Sequence, residues 1–273
     1  MDEYLKRIAE SLERAFPPDP DINFFEKDSA FIWEPARNHF SQVSDISTVD
    51  ISLLKGMDEE IEKVRLNTRA FVEGNLANNV LIWGARGMGK STLIKSVVKA
   101  ASSQSNRLKV IEVSRDDIGQ VDKLLKLIKN INKKFIIFCD DISFDDNETS
   151  YKSLKSVLDG GLIGGQQNVL VYATSNRRHL LSRKTGDSEG FIRWEEEQDE
   201  RLSISDRFGI SIGFYECDQN LYLEIVRSYA KSLGFKMSAK ELNRKAIEWQ
   251  VQRGSRSGRV AKQFIVSLLS GYK

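Results

Sequence analysis

Histidine and cysteine are scarce in this chain, with two of each among 273 residues. His39 and His179 stand far apart in sequence, which argues against a histidine-based metal site. Two cysteines cannot build a disulfide framework. Cys139 lies inside an apolar, strand-like run and Cys217 just after another, so both read as buried, reduced thiols of a cytoplasmic protein. No window approaches the roughly 18 consecutive apolar residues of a membrane span, so no membrane partner is expected. The opening MDEYLKRIAESLERAF is charged and helix-like, and no secretory signal is read there. Internal repeats and low-complexity segments are also missing.

What is present suits a soluble, folded chain: 40% apolar and 29% charged residues, enough length for one αβ domain and a smaller partner. The net charge of +2 hides an asymmetry. Residues 1–50 hold 5 Lys/Arg against 11 Asp/Glu, whereas residues 227–273 hold 11 against 2. A basic tail of that kind is either a solvated helical face or a surface for phosphates, of a nucleotide or of nucleic acid.

Along the chain, the amphipathic start ends at FPPDPD (Phe16–Asp21). The stretch from there to about Asp50 reads as irregular, with an aromatic-rich patch, FFEKDSAFIW. Helical spacing returns from Met57 to Glu73. Buried strands are then predicted at 78–83, 108–114, 135–141, 168–176 and 210–214, with helices between them. Such alternation implies right-handed crossovers and a parallel five-stranded sheet sandwiched by helices. After Asp218 the strand pattern stops, and three amphipathic segments near 219–233, 238–250 and 258–270 predict a small helical domain. The expected division is a helical or irregular acidic extension (1–49), an αβ core (50–217) and a basic helical lid (218–273).

Chemistry concentrates at GARGMGKS (Gly84–Ser91), which matches G-x-x-x-x-G-K-[ST] with a strand before it and a helix after. Gly84, Gly87 and Gly89 let backbone amides converge on phosphate oxygens, along the run Ala85, Arg86, Met88 and Thr92. Lys90 is expected as an exposed cation on a pre-formed loop, meeting the β- and γ-phosphates of ATP, and Ser91 as a ligand of Mg²⁺. Arg86 reads either as a phosphate contact or as a solvent-facing residue. The partner motif is FIIFCDD, whose Asp140 ends a buried strand at the edge where ligands of such sheets collect. Asp140 is a candidate for the Mg²⁺ shell, and Asp141 for activating a water against the γ-phosphate. The alternative for this acidic pair is two turn-forming residues. No Asn-Lys-x-Asp run occurs, which disfavours a GTPase.

These motifs, with LLKGMDEEIEKV (Leu53–Val64), VLVYATSN, SDRFG and SGRVAKQF, resemble an AAA+ ATPase over roughly residues 50–270. The longer strings NTRAFVEGNLANNVLIWGARGMGKSTL, FCDDISF and YKSLKSVLDGG are most similar to the bacterial AAA+ family catalogued as domain of unknown function 815. The resemblance implies ATP hydrolysis and a homo-oligomer with shared active sites. It also implies roles for single residues. Asn176 takes the place of the polar sensor, Arg207 of the finger that reaches a neighbouring subunit's γ-phosphate, and Arg259 of the second sensor in the lid. Each has a plainer reading: a strand cap, a partner of the acidic loop at 186–200, and one more charge on a basic face. Trp83 is expected as strand core, and Leu221, Ile225, Tyr229, Phe264 and Leu268 as lid core. Two features depart from the family pattern. The usual Asp-Glu pair is Asp140-Asp141 here, and SRDDIGQVDKL lacks an aromatic pore loop, so threading of polypeptide is not supported. The expected function is an ATP-driven switch or remodeller of an unidentified protein partner. The alternatives are a nucleic-acid loader that binds DNA through its basic lid, and an ATP-binding scaffold with little turnover.

Overall fold

Runs of apolar, β-branched residues that are buried on both faces pair as parallel strands. Five such runs here share one sheet. The computed structural model describes residues 2–15, 22–143, 148–158, 167–176 and 205–271. Its strands are β1 (Ala30–Glu34), β2 (His39–Gln42), β3 (Val80–Gly84), β4 (Leu108–Val113), β5 (Lys134–Cys139), β6 (Val169–Ser175) and β7 (Ile210–Phe214). Their order across the sheet is β2-β1-β4-β5-β6-β3-β7, and every pairing except β1 with β2 is parallel. The five expected strands are therefore β3 to β7. FPPDPD, His179 and the acidic loop at 186–200 lie outside the described residues.

Helices cover both faces. An α1 helix (Asp2–Ala15) precedes the sheet, and α2 (Asp58–Glu73) and α3 (Lys90–Gln104) lie on one face. The other face carries α4 (Val121–Ile128) and α5 (Glu148–Leu158). The three segments expected to be helical after Asp218 are α6 (Gln219–Ser232), α7 (Ala239–Arg253) and α8 (Gly258–Leu269), the stretch expected to form the lid. Asp218, Ser238 and Ser257 cap their N-termini, each side chain accepting a hydrogen bond from a backbone N–H in the first turn.

The stretch from Asp21 to Asp50 is corrected, because residues 30–42 are a hairpin and not irregular. β1 lies parallel to β4, with Phe31 opposite Ile111, and so extends the sheet of the core. Phe25 locks this edge, its ring meeting Phe31, Phe40 and Phe135 edge-to-face at centroid distances of 4.8, 5.3 and 5.2 Å. Trp33 is fully buried in the same cluster. Both cysteines are free and buried as expected, and burial pushes the Cys139 thiol up to about 12. No helix among the described residues is long and apolar enough to cross a membrane.

Trp33→Ala tests whether the hairpin is integral. Loss of a fully buried indole costs about 3–5 kcal/mol, and we expect a urea unfolding midpoint lowered accordingly in one cooperative transition. An unchanged midpoint would show that the hairpin sits outside the cooperative unit.

Candidate active site

Strand order brings the motifs together. β6 lies between β5 and β3, with Cys139 opposite Ala173 and Trp83 opposite Ser175. The ends of β5, β6 and β3 thus place Asp140, Asn176 and the glycine-rich loop side by side. Gly84 leaves the sheet at φ +132°, where an added Cβ would stand 1.8 Å from the Phe214 carbonyl oxygen. Only glycine permits that exit.

Lys90 opens α3 and corrects one expectation: its side chain is buried, at 6% exposure. Its ammonium donates to the carbonyls of Gly84 and Ala85, both at 2.8 Å, and to Asn176 Oδ1 at 3.0 Å. Burial pushes the Lys90 pKa below its usual range; Asp141 and Asp140 oppose the shift, and Arg259 and Arg86 add to it. The Asn176 amide nitrogen donates to Asp141 Oδ1, so one asparagine joins the lysine to the second acid. Asp141 holds φ +53°, a left-handed conformation that aspartate tolerates better than most residues.

Ser91 Oγ donates to Asp140 Oδ1 at 2.5 Å. The same carboxylate oxygen accepts from Thr174 Oγ1 at 2.5 Å, and Thr174 Oγ1 accepts from the Asp141 N–H at 2.8 Å. A hydroxyl and a carboxylate in contact are hard oxygen donors, a set that fits Mg²⁺ held jointly with phosphates. No cluster of three or more His, Cys, Asp or Glu among the described residues offers a competing metal cage.

These groups line a cavity of about 1050 Å³, at the large end of small-molecule sites. Arg86 to Thr92 contribute to its wall, and exposed Arg86 faces it. Gly84 and Ala85 supply the carbonyls that hold Lys90. Apolar side chains also line the cavity, Leu54 and Met57 together with Leu221, Ile225 and Tyr229 of α6. Those last three, expected only as lid core, are also cavity wall. Phe264 is buried and Leu268 packs on the same core, as expected.

The lid reaches the cradle through α8. Arg259 lines the cavity, and its backbone N–H donates to the Gly87 carbonyl at 3.2 Å. Lys262, one turn further along α8, lines it too; the reading of single motifs missed it, although its i+3 spacing from Arg259 was a usable signal. Thr174 was also missed, because nothing in a strand's own sequence says which neighbour it faces. Trp83 is half-buried instead of core, its Nε1 donating to Ser211 Oγ at 3.1 Å.

Arg207 is not brought to this cavity. It precedes β7, whose far end, Phe214, pairs with Gly84. A five-residue strand at about 3.3 Å per residue separates the two levels by roughly 16 Å.

The family described as a protein of unknown function, DUF815, matches residues 26–272. Solved structures share the fold, and three of them are as follows. A mutant of Thermotoga maritima RuvB is 19% identical with a TM-score of 0.53, covering 78% of this chain and 62% of that one. AMPPCP-bound DnaA from Aquifex aeolicus is 17% identical with a TM-score of 0.52, covering 80% and 63%. A structure described as a DNA replication initiation factor is 17% identical with a TM-score of 0.50, covering 81% and 64%. The chain thus spans less than two thirds of the length of each. No curated protein matches it.

Gly87→Ala probes the contact between lid and cradle. At φ +78° a new Cβ would meet Ser257 Oγ at 2.9 Å and the Arg259 Cβ at 3.1 Å, in a conformation alanine resists. We expect weaker nucleotide binding, a lowered melting temperature and readier proteolysis between α7 and α8. Wild-type nucleotide affinity would show that the lid can leave Gly87 freely.

Proposed function

The chain belongs to the DUF815 family and has the AAA+ fold, and on that premise we propose that it is an Mg²⁺-dependent ATP hydrolase whose cycle drives a conformational switch or the remodelling of a macromolecular partner. The observation that carries this reading is the junction of Lys90, Asn176 and Asp141 beside the Ser91–Asp140 pair, in the wall of a cavity that apolar side chains line as well. The apolar side chains of the 53–57 segment and α6 suit a base. The polar groups suit a triphosphate at the N-terminus of α3, where unpaired backbone N–H groups and the helix dipole favour anions.

Catalysis here is positioning and charge stabilisation, with no covalent intermediate on the protein. Lys90 transfers its hydrogen bonds from the loop carbonyls and Asn176 to phosphate oxygens. The Ser91 hydroxyl and Asp140 would hold Mg²⁺, which would supply charge neutralisation to the phosphates. Asp141 accepts the proton of the attacking water, and Asn176 orients that water. Asp141 is one methylene shorter than the usual glutamate, and its left-handed backbone with the tie to Asn176 sets where its carboxylate stands. Arg259, with Lys262, reads the phosphates from the lid.

The place of Arg207, a strand's length from its own cavity, favours action in trans within a homo-oligomer. The planar, always-charged guanidinium suits a γ-phosphate as negative charge develops, an effect on the order of 10³–10⁵ in rate in well-studied cases. Buried, unpaired thiols agree with a cytoplasmic setting.

A second reading, in which nucleotide state gates DNA contact, is favoured by the excess of 11 Lys/Arg over 2 Asp/Glu in residues 227–273. Retention on DNA that falls steeply with salt and changes with nucleotide would support it. Salt-insensitive passage over DNA would remove it.

Arg207→Ala is the sharpest test of the shared site. We expect near-normal ATP binding, poor hydrolysis at every protein concentration, and partial recovery on mixing with Lys90→Ala, since each chain supplies what the other lacks. No recovery, together with wild-type turnover independent of concentration, leaves a monomeric ATPase. Asp141→Asn should bind ATP and hydrolyse it slowly; wild-type turnover moves proton acceptance to another group.

A further inference from the structure

Thr174 lies within VLVYATSN, where only Asn176 was given a role, yet its hydroxyl stands at the centre of the acidic pair. From that geometry we infer that Thr174 is a positioning residue, which fixes the Asp140 carboxylate for Mg²⁺ and the Asp141 backbone for water activation. The inference rests on the ATPase reading above.

The sheet dictates the placement. Cys139 pairs with Ala173, so the next residues, Asp140 just past the end of β5 and Thr174 still within β6, lie side by side. Thr174 shares its face of β6 with Tyr172 and Asn176 by the two-residue period of a strand. That face also carries Ile136 and Phe138 of β5, the residues that bring Asp140 to the same side. Thr174 is 1% exposed, so its hydroxyl has essentially no water to bond. It donates its one proton to Asp140 Oδ1 at 2.5 Å and accepts the Asp141 N–H at 2.8 Å. A hydroxyl offers one proton and two lone pairs, and here its donor and an acceptor site both serve the acidic pair.

The two bonds do separate work. Asp140 Oδ1 receives two hydroxyl protons, one from Ser91 and one from Thr174. Both residues border the cavity, but Ser91 is partly exposed to it and is a metal ligand in the reading above, so its bond is the one that would rearrange when Mg²⁺ and phosphate arrive. The Thr174 bond comes from the sheet side and keeps the carboxylate in one rotamer throughout. Partners of this kind behind a metal ligand typically change metal affinity or activity by about 10–100-fold when removed. The second bond satisfies the Asp141 N–H at the one non-glycine residue of this site with positive φ, +53°. Thr174 therefore holds the peptide from which Asp141 reaches Asn176.

Valine is nearly isosteric with threonine but lacks the hydroxyl, so Thr174→Val keeps the strand's shape and removes both bonds. Serine keeps the hydroxyl and drops the methyl group. The experiment follows binding of a non-hydrolysable ATP analogue to the full chain, first in EDTA and then as Mg²⁺ is titrated, for wild type, Thr174→Val and Thr174→Ser. We expect Thr174→Val to match wild type in EDTA and to need about 10–100-fold more Mg²⁺ for half-maximal enhancement, with Thr174→Ser close to wild type. A role in packing alone gives the opposite order, with serine more defective than valine and no selective effect of Mg²⁺. If Thr174→Val does not fold, Thr174→Cys, whose thiol is a weak donor, replaces it with the same expectation. Wild-type Mg²⁺ dependence in the valine or cysteine variant, or a serine variant as defective as valine, overturns this inference alone. Failure of the wild-type protein to bind the analogue with or without Mg²⁺ overturns the ATPase reading, and this inference with it.

Discussion

Everything at the candidate site depends on β6 lying between β3 and β5 with all three strands parallel. Parallel ladders bring strand ends of the same sense to one edge, so the glycine-rich loop, Asn176 and the acidic pair emerge together. An antiparallel β6 would carry Asn176 to the opposite edge, and a different order would put a strand's width between Lys90 and its amide partner. Burial of the Lys90 ammonium follows from this crowding. Such burial is tolerated only when hydrogen bonds replace water, and two loop carbonyls and Asn176 do so.

The same edge joins the lid to the sheet. One apolar core runs from Leu93 and Ile136 through Met57 to Val226 and Phe264, so the lid is not a separate globule tied on by a linker. Swinging α6 to α8 away exposes apolar surface at roughly 25 cal/mol per Å². Movement of the lid is thus a repacking event at the cavity's apolar wall, where Leu221, Ile225 and Tyr229 stand. The hydrogen bond from Arg259 N–H to Gly87 is the polar counterpart of that seam. A ligand filling the cavity would touch both halves of the seam at once, which is how binding energy can bias the lid's position.

The sequence-level reading recovered the long, repetitive features and lost the short, non-local ones. Strands β3 to β7 are runs of β-branched and aromatic residues bounded by turn residues, a signal carried within each segment. The hairpin of β1 and β2 is nine residues of strand around a Pro35–Arg37 turn, and its stability comes from β4 and from the ring of Phe25. Strand preference is largely a matter of such surroundings, so FFEKDSAFIW read as irregular. Helical periodicity likewise marked Tyr229 and Ile225 as inward-facing without saying that inward meant the cavity wall. Lys90 was read as exposed because a lysine's usual place is the surface, and only the crowding at the sheet edge puts it at 6% exposure.

Local residue order displays the glycine spacing at 84–91, the acids that follow β5, the asparagine that follows β6 and the three basic amphipathic helices after Asp218. Each of those is written in consecutive residues, and local chemistry suffices to read it. Folding alone sets β6 between the two motifs, turns Thr174 to Asp140, rests α8 on Gly87 and leaves Arg207 a strand's length from its own cavity. Those outcomes turn on which backbone pairs with which, and on the register of the pairing. Pairing energy between distant segments has no local signature, so no single stretch of the chain could display it.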